Sequence, residues 1–440
     1  MTDHRPAYKI LTWGCQMNDD DSQQMANLLE QMGYRPALEE SDADIILLNT
    51  CSVRAKPEQK VRSKLGEFRL MKLERPNLIV GVCGCMAQRE GKRLLARGAD
   101  LVLGTAAIHD LPMLIEQIRQ GRGRLVADAL PERGKHNGHA DVSRATGKVG
   151  LKTFVPVMYG CNNFCAYCVV PYARGPERSR LVEDIVGEIT NLVARGCKEV
   201  TLIGQNVNSY SPGDTDFAGL LTMLNDIEGL ERIRFMTSHP KDLSDRLIEA
   251  MRLPKVCEHL HLPLQSGDDE ILRWMGRRYT VAHYKELIEK LRDRVLGISL
   301  TTDLMVGFPG ETEEQFENTM RTVREIRFDG AFTFAFNPRP GTAAATMDGQ
   351  IEGSIKRRRL SELIAVQNRI TLEKCNAQVG EVFEVLVEGP SEKDPTRATG
   401  YTRTNKTINF PGDKELTGKL VNVKVISAHP WGYLGEMADG

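Results

Sequence analysis

Residues 159–168 read Tyr159-Gly160-Cys161-Asn162-Asn163-Phe164-Cys165-Ala166-Tyr167-Cys168. The run before them, residues 154–158, reads as a strand, and Gly160 permits a tight turn out of it. Three thiols at this spacing can wrap one small metal unit. A structural zinc site usually takes four protein ligands, and no fourth Cys or His stands nearby in the sequence. Three cysteines on a four-iron cluster leave one iron without a protein ligand, and an open iron accepts a chelating ligand. Zinc completed by a distant residue is the alternative.

Outward from this loop, residues 153–336 alternate strand and helix. Strands read at 154–158, 200–203, 233–237, 259–263, 298–306 and 331–336. Such alternation implies a parallel, helix-covered sheet. Six units are too few for a closed eight-stranded barrel, so an open, partial (βα)6 barrel is expected. Parallel sheets take ligands at the C-terminal ends of their strands. Polar residues and glycines arrive there in turn: Gly204, Gln205 and Asn206; Ser238 and His239; Gln265, Ser266 and Gly267; then Asp303 and Gly307-Phe308-Pro309-Gly310. Each alone is ordinary loop composition; their regular arrival at strand ends carries the signal.

The first 120 residues repeat the alternation, with strands at 9–13, 45–49, 78–83 and 101–103 and helices near 22–32, 58–73, 88–97 and 109–119. A cysteine follows each of the first three strands. Cys15 lies in Trp13-Gly14-Cys15-Gln16-Met17-Asn18, Cys51 in Asn49-Thr50-Cys51-Ser52, and Cys85 in Cys83-Gly84-Cys85-Met86-Ala87. If those strands are neighbours, about 4.8 Å apart, the three thiols converge on one edge as a second three-cysteine site. Chance placement of buried cysteines is the competing reading. Cys83 reads as core-facing, and Cys197, Cys257 and Cys375 as structural.

Residues 131–148, rich in Gly, His, Lys and Arg, read as a linker. A helix near 355–375 leads to a tail of short strands and Gly/Pro turns, with alternation at Val421, Val423 and Val425: a small all-β, OB-like barrel. The expected division is 6–124, a linker at 125–150, 151–375 and 376–440, an α/β chain with an all-β tail. Apolar runs are too short to span a bilayer. The start, with Asp3, His4 and Arg5, has no apolar signal-peptide region, so a cytoplasmic location is expected. The 10 cysteines then read as ligands or buried residues rather than disulfides. With a net charge of -1, nucleic-acid contact would need a local patch.

The CxxxCxxC loop after the first strand of a partial barrel resembles the radical S-adenosylmethionine superfamily. The resemblance implies that the open iron chelates the amino and carboxylate groups of S-adenosylmethionine, whose reductive cleavage yields a 5′-deoxyadenosyl radical. It implies cofactor contacts at Tyr167, Gly204, Gln205, Asn206, Ser238, Gln265 and Asp303, although Tyr167 reads equally as a packing aromatic.

The motifs Trp13-Gly14-Cys15-Gln16-Met17-Asn18, Tyr159-Gly160-Cys161-Asn162, Val169-Val170-Pro171-Tyr172, Arg174-Gly175, Ser179-Arg180 and Gly204-Gln205-Asn206-Val207-Asn208 resemble the tRNA-2-methylthio-N6-dimethylallyladenosine synthase family. The likeness covers nearly the whole chain as an N-terminal methylthiotransferase domain, a radical core and a TRAM domain. Two small departures, Trp13 for Tyr and Gln23 where an acid often follows Ser22, touch no implied ligand. The family implies two 4Fe-4S clusters, one on Cys161, Cys165 and Cys168 and an auxiliary one on Cys15, Cys51 and Cys85. One S-adenosylmethionine methylates sulfur on the auxiliary cluster. A second supplies the radical that takes hydrogen from C2 of N6-isopentenyladenosine at tRNA position 37, next to the anticodon. An electron donor such as flavodoxin or ferredoxin is implied.

Anticodon loops splay out a base at low cost. Arg54, Lys56, Lys60, Arg62, Lys64, Arg69, Lys72 and Arg75 read as a phosphate-binding face or as a solvated helix, as do Arg357-Arg358-Arg359. Arg403, Asn405 and Lys406 resemble a TRAM loop for RNA. Phe332, Phe334 and Phe336 alternate on the last barrel strand, as an apolar slot for the isopentenyl tail or as a core row. Arg339 offers a cation for a threonylcarbamoyl tail instead. Two rivals follow: a sibling methylthiotransferase acting on threonylcarbamoyl-adenosine or a ribosomal protein, and a non-catalytic, metal-containing RNA-binding protein.

Overall fold

The structure is a computed structural model that describes residues 5–52, 55–130 and 149–438. The stretch 131–148, read as a linker, and Arg54 lie outside the described residues. The strands Ile45–Thr50 and Ile79–Cys83 are buried at every position, which near-continuous apolar runs achieve only between two helical layers. They centre an all-parallel sheet whose order is Arg35–Pro36, Ala7–Trp13, Ile45–Thr50, Ile79–Cys83, Leu101–Leu103 and Leu125–Ala127. The helices Gln16–Gln31 and Leu111–Arg119 cover one face, through Met25, Leu28, Leu111 and Ile115. Ala55–Glu74 and the turns after Cys85 cover the other, through Val61, Leu65, Phe68 and Met86.

Three details differ from the sequence reading. The sheet has six strands rather than four, because the edge strands at 35–36 and 125–127 are too short to show periodicity. Leu125–Ala127 pairs with Leu101–Leu103, so the segment assigned to a linker from residue 125 begins inside the sheet. The first helix starts at Gln16 rather than near 22. Its first turns are polar, yet Asn18, Asp20 and Asp21 are buried; Asn18 and Asp21 find their partners, Asn49 and Arg174, far away in sequence, so the turn carries no apolar period.

The barrel strands are Lys152–Pro156, Glu199–Ile203, Arg232–Phe235, His259–His261, Ser299–Val306 and Gly330–Ala335. They form two three-stranded parallel sheets, joined where Ile233 pairs with Val256 and its N–H donates to Lys255 O at 2.7 Å. The result is the expected open, partial barrel. On Ser299–Val306 the residues Leu300, Thr302, Leu304 and Val306 are buried, while Thr301, Asp303 and Met305 face a more open lumen. Asp303 stands beside Phe332 in register, and Met305 beside Phe334.

The helix Gly353–Ala377 leads to a closed five-stranded barrel spanning Val382–Pro390 to Gly432–Met437. This tail plugs the N-terminal ends of the barrel strands. Arg232 donates to Tyr401 O at 2.7 Å and Glu384 Oε1 at 2.8 Å. Arg234 donates to Arg403 O and Thr402 O, both at 2.8 Å, and pairs with buried Glu199 at 3.0 Å. The loop read as RNA-binding is turned inward: Arg403 pairs with Glu258 at 2.8 Å and Lys406 donates to Asp329 O at 2.9 Å. Its charges satisfy the barrel floor. Arg359 is likewise buried against Glu311 and Glu313, and Lys64, Lys72 and Arg62 are held by acids; these four members of the basic stretches are paired within the protein. No helix among the described residues is long and apolar enough to cross a membrane.

Removing one partner of a buried ion pair strands the other. Arg234→Ala, which leaves Glu199 and two tail carbonyls without their main cation, should cost about 3–5 kcal/mol in urea unfolding. A loss under about 1 kcal/mol would contradict this picture of the docked tail.

Candidate functional site

The strands Ala7–Trp13, Ile45–Thr50 and Ile79–Cys83 are consecutive neighbours, with Trp13 opposite Thr50 and Asn49 opposite Cys83. Cys15, Cys51 and Cys85 therefore leave one sheet edge side by side. The Cys51 thiol hydrogen-bonds to both neighbours. Those bonds, helped by the charge of Arg174 and opposed by burial, hold Cys15 down to about 6 and Cys85 down to about 7, while Cys51 is pushed up. Behind the thiols, Asn18 donates to Asn49 Oδ1 at 3.1 Å, and Asn49 donates to Asn18 O and Ser22 Oγ at 2.8 Å. The Asn18 Oδ1 also accepts from the Cys15 amide at 3.3 Å. Gly84 has φ +82, and a Cβ there would fall on Asn49 Oδ1. Cys83 points the other way, into the apolar core.

The central loop is held as tightly. The Cys161 amide donates to Gly175 O at 3.1 Å, and the Gly160 amide donates to Gln205 Oε1. Gly160 has φ +78, and a Cβ there would fall on the Pro176 carbonyl. Phe164 adopts φ 48, a strained conformation for a residue with a side chain. Arg277, buried, donates to Cys165 Sγ at 3.6 Å and to Pro263 O at 3.0 Å. Burial pushes Cys161 up to about 11 and Cys168 up to about 12. Thiols so placed deprotonate when a metal centre replaces their protons. Among the described residues no three His, Cys, Asp or Glu side chains close on a single metal ion.

The polar strand ends cluster beside this loop. Asn206 is buried, donates to Asp242 Oδ2 at 2.8 Å, and leaves its own Oδ1 without a partner. The Ser238 Oγ is also buried and unpartnered. Orphaned buried acceptors and donors cost free energy that a ligand recovers. Two non-glycine residues, Thr237 at φ 71 and Gln265 at φ 69, turn the chain at the same rim. The donor chemistry thus fits both an iron–sulfur cluster on three soft thiols and a polar cofactor beside it. Gly204 packs against Met158. Tyr167 is enclosed with Phe308, Phe336 and Met275, next to Arg277. Lower in the lumen, Asp303 lies 3.5 Å from His261 Nε2, and the His261 ring meets Phe332 edge-on at 5.7 Å.

The phenylalanine row divides. Phe332 is 53% exposed on the lumen, whereas Phe336 is buried against Phe308. Arg339 lies within electrostatic reach of Glu58, Arg89 and Cys51, on the side of the N-terminal domain. Sequence reading missed the pairs Asn18–Asn49, Arg174–Asp21 and Arg277–Tyr279. Asp21 carried a usable signal: it falls with Asn18, Met25 and Leu28 on one helical stripe.

Residues 155–323 match the radical SAM superfamily, residues 7–104 the uncharacterized protein family UPF0004, and residues 376–437 the TRAM domain. The tRNA-2-methylthio-N(6)-dimethylallyladenosine synthase of Moorella thermoacetica is 50% identical over 451 residues, covering 100% of this chain and 100% of that protein. The synthase of the same name from Thermoanaerobacter sp. is 47% identical, covering 98% of this chain and 93% of that protein. Among solved structures, the radical S-adenosylmethionine methyltransferase TsrM of Kitasatospora setae, with cobalamin and a 4Fe-4S cluster bound, superposes with a TM-score of 0.56 at 15% identity. It covers 78% of this chain and 74% of that one, a likeness of fold.

Fold and sequence together define a radical S-adenosylmethionine enzyme, an iron–sulfur protein of mixed α/β architecture with a TRAM tail. Within that class, the chain belongs to the tRNA-2-methylthio-N(6)-dimethylallyladenosine synthase family.

Gly160 gives the loop geometry a direct check. Gly160→Ala adds left-handed strain of about 1–2 kcal/mol and a clash with the Pro176 carbonyl, and should lower both the urea midpoint and the iron retained per chain. The control Gly66→Ala, in a helix with open space around it, should hold stability or raise it by up to about 1 kcal/mol. Equal behaviour of the two variants would contradict the assignment.

Proposed function

We propose that this chain converts N6-isopentenyladenosine at tRNA position 37 to its 2-methylthio derivative, using S-adenosylmethionine and two 4Fe-4S clusters. Relatives of about half identity over the full length are named for that conversion. The observation that carries the mechanistic reading is the pair of three-thiol sets, one at the end of each parallel sheet, joined by a buried ion pair between Arg174 and Asp21.

Cys161, Cys165 and Cys168 would hold the cluster that chelates S-adenosylmethionine, and Cys15, Cys51 and Cys85 the auxiliary one. When bound, these groups supply reductive cleavage of S-adenosylmethionine, to remove the C2 hydrogen, and a sulfur that accepts its methyl group. The chain's own residues do the rest. Gln205 ties the cysteine loop to the second barrel strand through Gly160. Arg277 holds the Cys165 sulfur in place with a hydrogen bond. Asn206, Ser238 and Gln265 offer polar atoms to the cofactor, Gly204 allows its close approach, and Tyr167 would pack beneath it. Asp303 with His261 presents an acceptor and a ring nitrogen to the lumen, and Phe332 beside them offers an apolar wall for an isopentenyl group. An anticodon loop is single-stranded, so its base can leave the stack to enter this lumen. A donor such as flavodoxin or ferredoxin would supply the electron, and the cytoplasm, where tRNA and reduced thiols coexist, suits the reaction.

A threonylcarbamoyl substrate would want a cation for its carboxylate. The lumen presents Asp303 and Phe332, and Arg339 lies toward Glu58, Arg89 and Cys51 of the N-terminal domain. The isopentenyl branch is also the one its relatives are named for. A purely RNA-binding role would leave the orphaned polar rim and both thiol sets without a use.

Replacing Cys161, Cys165 and Cys168 with Ala should leave roughly half the iron on a two-cluster count and abolish reductive cleavage of S-adenosylmethionine. Replacing Cys15, Cys51 and Cys85 should keep cleavage and abolish methylthiolation of tRNA; methylthio product from that variant would sink the mechanism.

Substrate choice is tested by competition among identical anticodon stem-loops that are unmodified, isopentenylated or threonylcarbamoylated. The isopentenylated RNA should win, and Phe332→Ala should narrow its advantage by about tenfold, the low end for a lost apolar contact. Preference for the threonylcarbamoylated RNA would promote the sibling activity.

A further inference from the structure

The helix Val170–Arg174 begins two residues after Cys168 and ends on a basic side chain that reaches toward the other thiol set. Arg174 is 4% exposed. Its Nη2 lies 2.6 Å from Asp21 Oδ2 and its Nη1 3.4 Å from Asp21 Oδ1, a two-point grip on the first helix of the N-terminal domain. The same segment is braced from the other side, where Thr105 Oγ1 donates to Ala173 O at 2.7 Å. Asp21 is itself 2% exposed, so no solvent screens the pair.

The pair does more than join two domains. The helix Val170–Arg174 packs on the helix Cys85–Glu90, and Asp21 lies on the helix that Cys15 caps, so the guanidinium stands buried between the elements that carry Cys85 and Cys15. Three thiolates on an iron–sulfur cluster carry net negative charge into a buried place, where uncompensated charge is costly. Added electrons or anionic sulfur raise that cost further.

We propose that Arg174 is a positioning residue for the N-terminal sulfur site: carried on the loop of the radical site and aimed by Asp21, its guanidinium sets the electrostatic environment of the cluster on Cys15, Cys51 and Cys85. The inference rests on the assignment of those three cysteines as ligands. Its chemical content is a sign. A nearby cation favours the reduced, more negative cluster, so removing it moves the midpoint potential down. A nearby anion does the reverse, so neutralising Asp21 moves the potential up. General loosening of the interface would move both variants in the same direction.

The test uses the full-length, reconstituted chain in which Cys161, Cys165 and Cys168 are Ala, so that only the N-terminal cluster reports. Iron per chain and the midpoint potential, from a redox titration followed by electron paramagnetic resonance, are measured for this parent and for R174Q, R174K and D21N. The expected result is retained iron in all four, a lower potential in R174Q, near-parent potential in R174K and a higher potential in D21N. Retained iron with an unmoved potential in R174Q overturns the inference, and so do shifts of the same sign in R174Q and D21N. If R174Q loses its iron, the comparison of D21N with R174K decides: a D21N potential at or below the R174K value overturns the inference. Absence of iron from the parent overturns the ligand assignment itself, and the inference with it.

Discussion

In a parallel sheet every strand ends on the same edge, and this constraint places all the chemistry of the molecule. The N-terminal sheet delivers Cys15, Cys51 and Cys85 to one edge because three neighbouring strands end there. The barrel sheet delivers its cysteine loop, Asn206, Ser238 and Gln265 to the corresponding edge of its own strands. Each set is then fixed locally by backbone that only a small or strained residue can supply, at Gly84, Gly160 and Gln265. Contacts across the chain, Asn18 with Asn49 and Gln205 with Gly160, then lock each set in place.

Bringing the two edges together is a separate problem, solved with buried charge. Ion pairs in the interior gain little net stability, since desolvation offsets attraction, but they punish mispairing severely. Arg174 with Asp21 fixes the domain boundary near the thiols. Arg232 and Arg234 with Glu199 and the tail carbonyls fix the opposite end of the barrel. The tail barrel therefore sits across the floor, away from the cysteine loops, and what it offers RNA lies outside the lumen.

The cysteine loop, the partial barrel and the thiol at each N-terminal strand end were legible because each is local: a motif of eight residues, or one residue after an apolar run. The short edge strands were not, since two or three residues carry no period. The ion pairs were not, since an arginine and its partner lie far apart in the chain and follow no spacing. Arg403 and Lys406 show the same limit. Their composition suits an RNA loop, and only the fold reveals that Glu258 and Asp329 already occupy them. The phenylalanine row showed its shared face but not that the barrel's rim would bury Phe336 and leave Phe332 open.

The central claim is that two separate iron–sulfur centres stand at the two strand edges of one chain. An anomalous difference map at the iron edge, from crystals of the anaerobically reconstituted protein, tests it most directly. The account predicts two iron peaks, one among Cys15, Cys51 and Cys85 and one among Cys161, Cys165 and Cys168. A single peak in protein that makes methylthiolated tRNA would contradict it.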